Sequence, residues 1–149
     1  MKLGKILVPT DFSSDSDQAL RWGTSLAENY GAQLLLLHVL PPAVEGVSMH
    51  GSEGEQLMMD LEAKVEGQLQ ELVLEELQKG FPVDLKVGLG KPAEEILRVA
   101  REESVDLIVM GTHGHSELRH LLLGSTAESV FHHAPCPVFM VRAAAEGTP

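Results

Sequence analysis

The sequence contains little cysteine, few aromatic residues and few positive charges. Cys136 is the one cysteine among 149 residues, so no disulfide can form within the chain, and a reducing compartment is favoured. Only 4% of the residues are aromatic, so the core must be built from aliphatic side chains and methionine. Lysine and arginine number 11 against 22 acidic residues, and the resulting charge of -11 opposes nonspecific binding to nucleic acid or anionic lipid.

Long apolar runs are also missing. A membrane-spanning helix needs roughly 20 consecutive apolar residues, and the longest apolar run, Leu34–Leu37 with its neighbours, has the length of a strand. The first five residues do not resemble a signal peptide. We therefore expect a cytoplasmic protein with no nucleic-acid or membrane partner.

Strand and helix patterns alternate along the whole chain. Apolar runs predict five strands, at Ile6–Val8, Leu34–Val39, Val83–Val87, Leu107–Met110 and Val138–Val141. Helices are predicted between them: from Ser13 or Ser14 to Gly31, over Glu55–Lys79, from Pro92 onward, and over Ser125–His133. A capping box is expected at Ser14 with Asp17. Glycine-rich residues 41–54 favour a flexible loop.

This alternation predicts an α/β fold: a single doubly wound, Rossmann-like domain with a parallel sheet and helices on both faces. We expect the domain to span residues 1–143 and residues 144–149 to form a flexible tail. In such sheets, ligands bind beyond the carboxyl ends of the strands, where the strand order reverses. The turns after the first and fourth strands are therefore the candidate sites.

The turn after the fourth strand carries a spaced glycine motif. It consists of Gly111-Thr112-His113-Gly114, nine further residues, and then Gly124-Ser125-Thr126. Glycines allow close approach to a ligand, and the N-terminus of a helix favours an anion. Ser125 with Glu128 fits a capping box, which would open the last helix there. The motif predicts a phosphate site, and the alternative is that these glycines only form turns.

Other motifs are weaker. Gly88-Leu89-Gly90-Lys91 is not a P-loop, because Pro92 follows where Ser or Thr is required. Three histidines near the glycines, at 113, 115 and 120, lack the further ligands of a metal site, and we expect them to be exposed or to contact phosphate. His38 is expected to face a neighbouring backbone or the loop. Cys136 is expected to be a small buried side chain.

Several segments resemble the universal stress protein family, over nearly the whole chain. The similar segments are the glycine motif, Ile6–Ser13, Leu36–Val39, Pro92–Leu97 and Ala134–Val138. Lys91 departs from the pattern, because many relatives have an acidic residue before the proline. The resemblance implies a five-stranded sheet of order 3-2-1-4-5, with strands one and four side by side.

The resemblance also implies an adenine-nucleotide site. Asp11 would lie near the adenosine, the backbone of Val39 would contact adenine, and Gly111, Gly114, Gly124 and Ser125 would hold the phosphates. Asp11 is alternatively a cap for the first helix or a ligand for Mg²⁺. The predicted nucleotide-binding set is Pro9, Thr10, Asp11, Val39, Met110, Gly111, Thr112, His113, Gly114, Gly124, Ser125 and Thr126.

The expected function is that of an ATP-binding stress-response or signalling protein that acts as a dimeric sensor, with or without Mg²⁺. The resemblance implies a homodimer, formed through the short apolar strand Val138–Val141 at the sheet edge. The alternatives are a dimeric interaction module that ignores nucleotide and a slow ATPase. No dedicated catalytic group or metal site is predicted.

Overall fold

The computed structural model describes residues 2–40, 42, 51–115 and 122–143. Five parallel strands form one sheet of order β3-β2-β1-β4-β5, which confirms the predicted doubly wound α/β fold. The elements in chain order are β1 (Lys5–Pro9), α1 (Ser14–Tyr30), β2 (Gln33–Leu40), α2 (Gly51–Leu72), α3 (Leu74–Gln78), β3 (Val83–Leu89), α4 (Pro92–Glu102), β4 (Leu107–Gly111), α5 (Ser125–His133) and β5 (Val138–Val141).

Apolar side chains on both faces of the sheet explain why the central strands are buried. Along β1, Ile6 and Val8 point into one cluster and Leu7 into the other, as the two-residue period of a strand requires. The first cluster packs against α1 and α2, for example through Ala19 and Leu69. The second packs against α4 and α5. Helices therefore cover both faces, and this leaves the carboxyl ends of the strands as the open edge for a site.

Helix α1 is capped by the first of its two predicted cap residues. Ser13 is the N-cap, and its side chain accepts a hydrogen bond from the backbone N–H of Ser16. Ser14 is already the first helical residue, so the capping box of Ser14 with Asp17 is wrong. Gly31 ends the helix with φ 66°, a left-handed conformation that glycine adopts without strain. The predicted end of this helix is confirmed.

The predicted helix over Glu55–Lys79 is two helices. Helix α2 starts at Gly51, so residues 51–54 are helical and not part of a loop. The prediction for residues 41 and 43–50 lies outside the described residues. At Val73 the backbone leaves the helical region, with φ -117° and ψ 22°, and its side chain is fully buried in the core. Burial of this side chain accompanies the break between α2 and α3.

Candidate functional site

A cleft of about 260 Å³ lies at the carboxyl ends of the strands. This volume is close to the lower end of the range for small-molecule sites, about 300 Å³. Its floor lies where β1 and β4 are neighbours and the strand order reverses. Eleven of the twelve residues predicted from sequence line it: Pro9, Thr10, Asp11, Val39, Met110, Gly111, Thr112, His113, Gly114, Gly124 and Thr126. Ser125 is not among the described lining residues.

The turn between β1 and α1 is held by hydrogen bonds within itself. The carboxylate Oδ1 of Asp11 accepts from the backbone N–H of Ser13 at 3.0 Å and from the hydroxyl of Ser16 at 3.1 Å. Phe12 has φ 65°, which is an uncommon backbone conformation for a bulky residue. Its N–H donates to Thr10 Oγ1 at 3.0 Å. Asp11 therefore stabilises the start of α1, the alternative role considered for it, while it lines the cleft.

His38, on the neighbouring strand β2, supports the same turn from the side. Its Nδ1 lies 2.7 Å from the carbonyl oxygen of Thr10, as expected for a histidine that faces a neighbouring backbone. Because a carbonyl oxygen can only accept, this nitrogen must carry the hydrogen. The imidazole ring lies against the ring of Phe12, with centroids 4.8 Å apart. His38 lines the cleft but was missing from the predicted site. Its position next to the predicted site residue Val39 is the sequence signal that indicated it.

Gly111, the last residue of β4, packs closely against α1. A Cβ atom at this position would lie 2.7 Å from the Cβ of Asp15 and 2.9 Å from its backbone carbon. Only glycine allows β4 and α1 to approach this closely. Tight packing against a helix therefore accounts for this glycine, whose backbone also lines the cleft.

Asp15 is a buried residue that sequence reasoning missed. Its side chain is inaccessible to solvent, and its Oδ2 accepts from the hydroxyl of Thr112 at 3.1 Å and from the backbone N–H of His113 at 3.2 Å. Its Oδ1 accepts from the backbone N–H of Ala143 at 3.0 Å. The carboxylate thus joins α1, the turn after β4 and the residues after β5. In the sequence, Asp15 and Asp17 both follow a serine near the start of the helix. Nothing in this pattern indicates which of the two is buried.

His113 is also buried, with 4% of its surface exposed, so the expectation of solvent exposure is wrong for this residue. Its Nδ1 lies 2.9 Å from the hydroxyl oxygen of Thr112. His115 is exposed, as expected. His120 lies outside the described residues. No group of three or more metal-ligating side chains occurs within residues 2–40, 42, 51–115 and 122–143.

Helix α5 presents its N-terminus to the cleft. Gly124 is the N-cap, and no side-chain cap bond forms there among the described residues. Ser125 is the first helical residue, so its predicted capping box with Glu128 is wrong, and Gly124 fills the cap position instead. The N–H of Gly124 donates to the carbonyl of Thr112 at 2.7 Å, which fixes α5 against the end of β4. Main-chain N–H groups of a first helical turn favour an anion.

Asp11 brings a carboxylate to the α1 side of the cleft, and Asp17 on α1 lies close enough to interact with its charge. Partial burial raises the pKa of Asp17, and the nearby charge of Asp11 raises it further, while Arg21 and His115 act in the opposite direction. An anionic ligand would therefore be attracted by the α5 N-terminus and not by the acidic residues on α1. This asymmetry favours the α5 side of the cleft as the place for an anion.

The fold and the cleft define a doubly wound α/β protein with a candidate ligand site at the topological switch point. Residues 2–142 match the model of the universal stress protein family. The chain belongs to this family.

Two curated relatives show the extent of the similarity. The universal stress protein MJ0577 of Methanocaldococcus jannaschii is 32% identical over 152 residues, covering 93% of this chain and 94% of that protein. The universal stress protein YxiE of Bacillus subtilis is 35% identical over 147 residues, covering 93% and 98%.

Solved structures show the same fold. The MJ0577 structure superposes with a TM-score of 0.82 at 31% identity, covering 98% of this chain and all of that one. An Arabidopsis thaliana universal stress family protein with AMP bound has a TM-score of 0.66 at 22% identity, covering 98% and 96%. None of the helices within the described ranges is long and apolar enough to cross a membrane.

Proposed function

We propose that this protein binds an adenine nucleotide in the cleft and acts as a nucleotide sensor in a stress response. The observation that carries the proposal is the meeting of the Gly124 helix N-terminus and the Asp11 turn across one cleft at the switch point. The first offers an anion site, and the second offers a carboxylate and main-chain groups beside Val39. Supporting this, a relative of the same fold is described with AMP bound.

ATP, with or without Mg²⁺, is the ligand that we propose for the cleft. Gly111, Gly114 and Gly124 all line it, and glycine leaves the main chain open to close approach by phosphate oxygens at each of these positions. Rapid hydrolysis is not part of the proposal. Asp11 is the acidic side chain among the described lining residues, and its Oδ1 already accepts two hydrogen bonds.

Calorimetric titration and thermal unfolding with ATP, ADP, AMP and cyclic AMP test the proposal, each with and without Mg²⁺. A ligand at 100 times its Kd adds about 2.7 kcal/mol to the stability of the folded state. Gly124→Val should abolish this gain, because it places a branched side chain at the cleft. Gly67→Val is the matched control, since nothing lies within 4 Å of a Cβ built at Gly67. No ATP-dependent shift at millimolar nucleotide would refute the proposal and favour a module that ignores nucleotide.

We further propose that the protein is a cytoplasmic homodimer that pairs through β5, which lies at one edge of the sheet. Trp22 is 50% exposed and Phe139 is 38% exposed, and their rings lie 5.4 Å apart beside this edge. Exposed aromatic residues next to an edge strand are typical of an interface. Light scattering should show a dimer for the wild type and a monomer for Phe139→Lys. Phe131→Lys on α5, whose wild-type side chain is 59% exposed, is the control and should remain dimeric.

A further inference from the structure

Asp15 is a buried carboxylate that lies behind the cleft and does not line it. It occupies the first turn of α1, where the helix dipole stabilises negative charge. Donors that point at its two oxygens include the Thr112 hydroxyl, the His113 N–H and the Ala143 N–H. Hydrogen bonds of this kind favour the ionised form of a carboxylate. An ionised carboxylate can only accept hydrogen bonds.

The direction of the neighbouring hydrogen bonds follows from the role of Asp15 as the acceptor of these donors. The single hydroxyl hydrogen of Thr112 is donated to Asp15 Oδ2, so it is not available to His113. The 2.9 Å contact between Thr112 Oγ1 and His113 Nδ1 then requires the ring nitrogen to donate. His113 Nδ1 must carry a hydrogen, whether the ring is neutral or charged. In the neutral ring, Nε2 is then an acceptor.

We propose that Asp15 is a positioning residue for the ligand site: through Thr112 it sets the hydrogen-bonding state of His113, and it holds the turn after β4 in its binding shape. Thr112 and His113 both line the cleft, while Asp15 acts on them from behind. Asp15 also bonds the residue two positions after β5, so the cleft and the edge strand share one anchor. This inference rests on the proposed nucleotide binding for its affinity test but not for its spectroscopic test.

The spectroscopic test uses ¹⁵N NMR of the histidine rings at about pH 8, where an ordinary histidine is neutral. The signal of His113 is identified by its loss in His113→Gln. In the wild type, Nδ1 should be protonated. In Asp15→Ala, the Thr112 hydroxyl loses its acceptor and turns to donate to Nδ1, so the ring hydrogen should move to Nε2. A purely structural role would lower stability and leave the hydrogen on Nδ1.

The affinity test compares Asp15→Asn with Asp106→Asn, by calorimetric titration with ATP and Mg²⁺. Asp106 is a matched control, because its carboxylate, like that of Asp15, accepts two backbone N–H groups. These are the N–H groups of Gly4 and Lys5, at the opposite end of the sheet. An amide has one acceptor oxygen and cannot replace both oxygens of Asp15. If the binding shape of the turn falls to about one tenth of the population, Kd rises about tenfold. Asp106→Asn should keep the wild-type Kd.

The outcomes separate the two proposals. If wild-type protein binds no nucleotide, the proposed function fails, and the NMR test still decides the role of Asp15. If the wild type binds ATP and Asp15→Asn binds it as tightly as Asp106→Asn does, the positioning role is refuted. An unprotonated Nδ1 in wild-type His113 refutes it as well, and this result does not depend on whether any Asp15 variant folds.

Discussion

Replacing Gly111 with alanine tests the packing that defines the cleft floor. The added Cβ would lie 2.7 Å from Asp15 Cβ, 2.9 Å from Asp15 C and 3.1 Å from the backbone N of Ser16. Two of these three atoms are main chain of α1, so no rotation of a side chain can relieve the contact. Either the end of β4 or the start of α1 must move. Both positions form the cleft, so stability and ligand binding should change together.

The expected loss of stability follows from overpacking. Forcing an extra methyl group into a packed interior costs about 1–3 kcal/mol. We place Gly111→Ala in the upper half of this range, at about 2–3 kcal/mol, because the opposing atoms belong to the backbone. For a chain of this length, each 1 kcal/mol lowers Tm by about 2–4 °C. The melting temperature should therefore fall by about 4–12 °C.

Urea unfolding and calorimetric ATP titration measure the two effects. Gly67→Ala is the control, because its Cβ would meet nothing within 4 Å and it lies inside α2. Alanine is favoured over glycine in a helix by about 0.5–1 kcal/mol, so this variant should gain stability. The same substitution should thus have opposite signs at the two positions. Wild-type stability and ATP affinity in Gly111→Ala would refute the reasoning.

Three further predictions concern other parts of the fold. Hydrogen bonds from Lys86 and Lys5 lower the pKa of Glu103, so its contribution to stability is fully present above the ordinary glutamate pKa of about 4.3 and is lost as pH falls below it. The stability difference between wild type and Glu103→Gln should therefore shrink with falling pH, and a constant difference would contradict this. Ser104 has φ 52°, a left-handed conformation that glycine adopts at less cost than serine. Ser104→Gly should therefore raise the free energy of unfolding, measured by urea denaturation, by about 0.5–1 kcal/mol, and a decrease would contradict this. Cys136 is only partly buried, so the expectation of a buried side chain is wrong, but this partial burial still raises the pKa of its thiol. Iodoacetamide should therefore alkylate the native thiol more slowly than the unfolded one, and equal rates would refute this.

Most of the fold could be predicted from the sequence because its signals are local. Runs such as Leu34–Leu37 are apolar at every position, which indicates a strand buried on both faces of a parallel sheet. Proline and glycine mark the ends of elements, as at Gly31 and at Pro92 in the first turn of α4. The break at Val73 had no such signal. The sequence pattern there is still helical, and only burial in the tertiary structure distinguishes this residue.

The sequence predicted the parts of the candidate site that glycines and strand ends form. It did not predict the parts that form where residues far apart in the chain come into contact. Gly111 and Asp11 follow predicted strands, so the rule for switch points brings their turns together. Asp15 bonds Thr112 and Ala143, which are 97 and 128 positions away in the chain, and no local pattern reports such contacts. Both expected capping boxes failed for a related reason. In each helix, an adjacent residue is the N-cap instead: Ser13 in α1 and Gly124 in α5.

The sequence by itself determined the family, the α/β fold and the two turns that form the cleft, because these depend on periodicity, on glycine and on residues close to one another in the chain. The tertiary structure alone decided which side chains support those turns. His113 became buried and Asp15 became the anchor behind it because β4, α1 and the residues after β5 converge at one point. That convergence is set by the packing of the sheet against its helices, a property that no single segment contains.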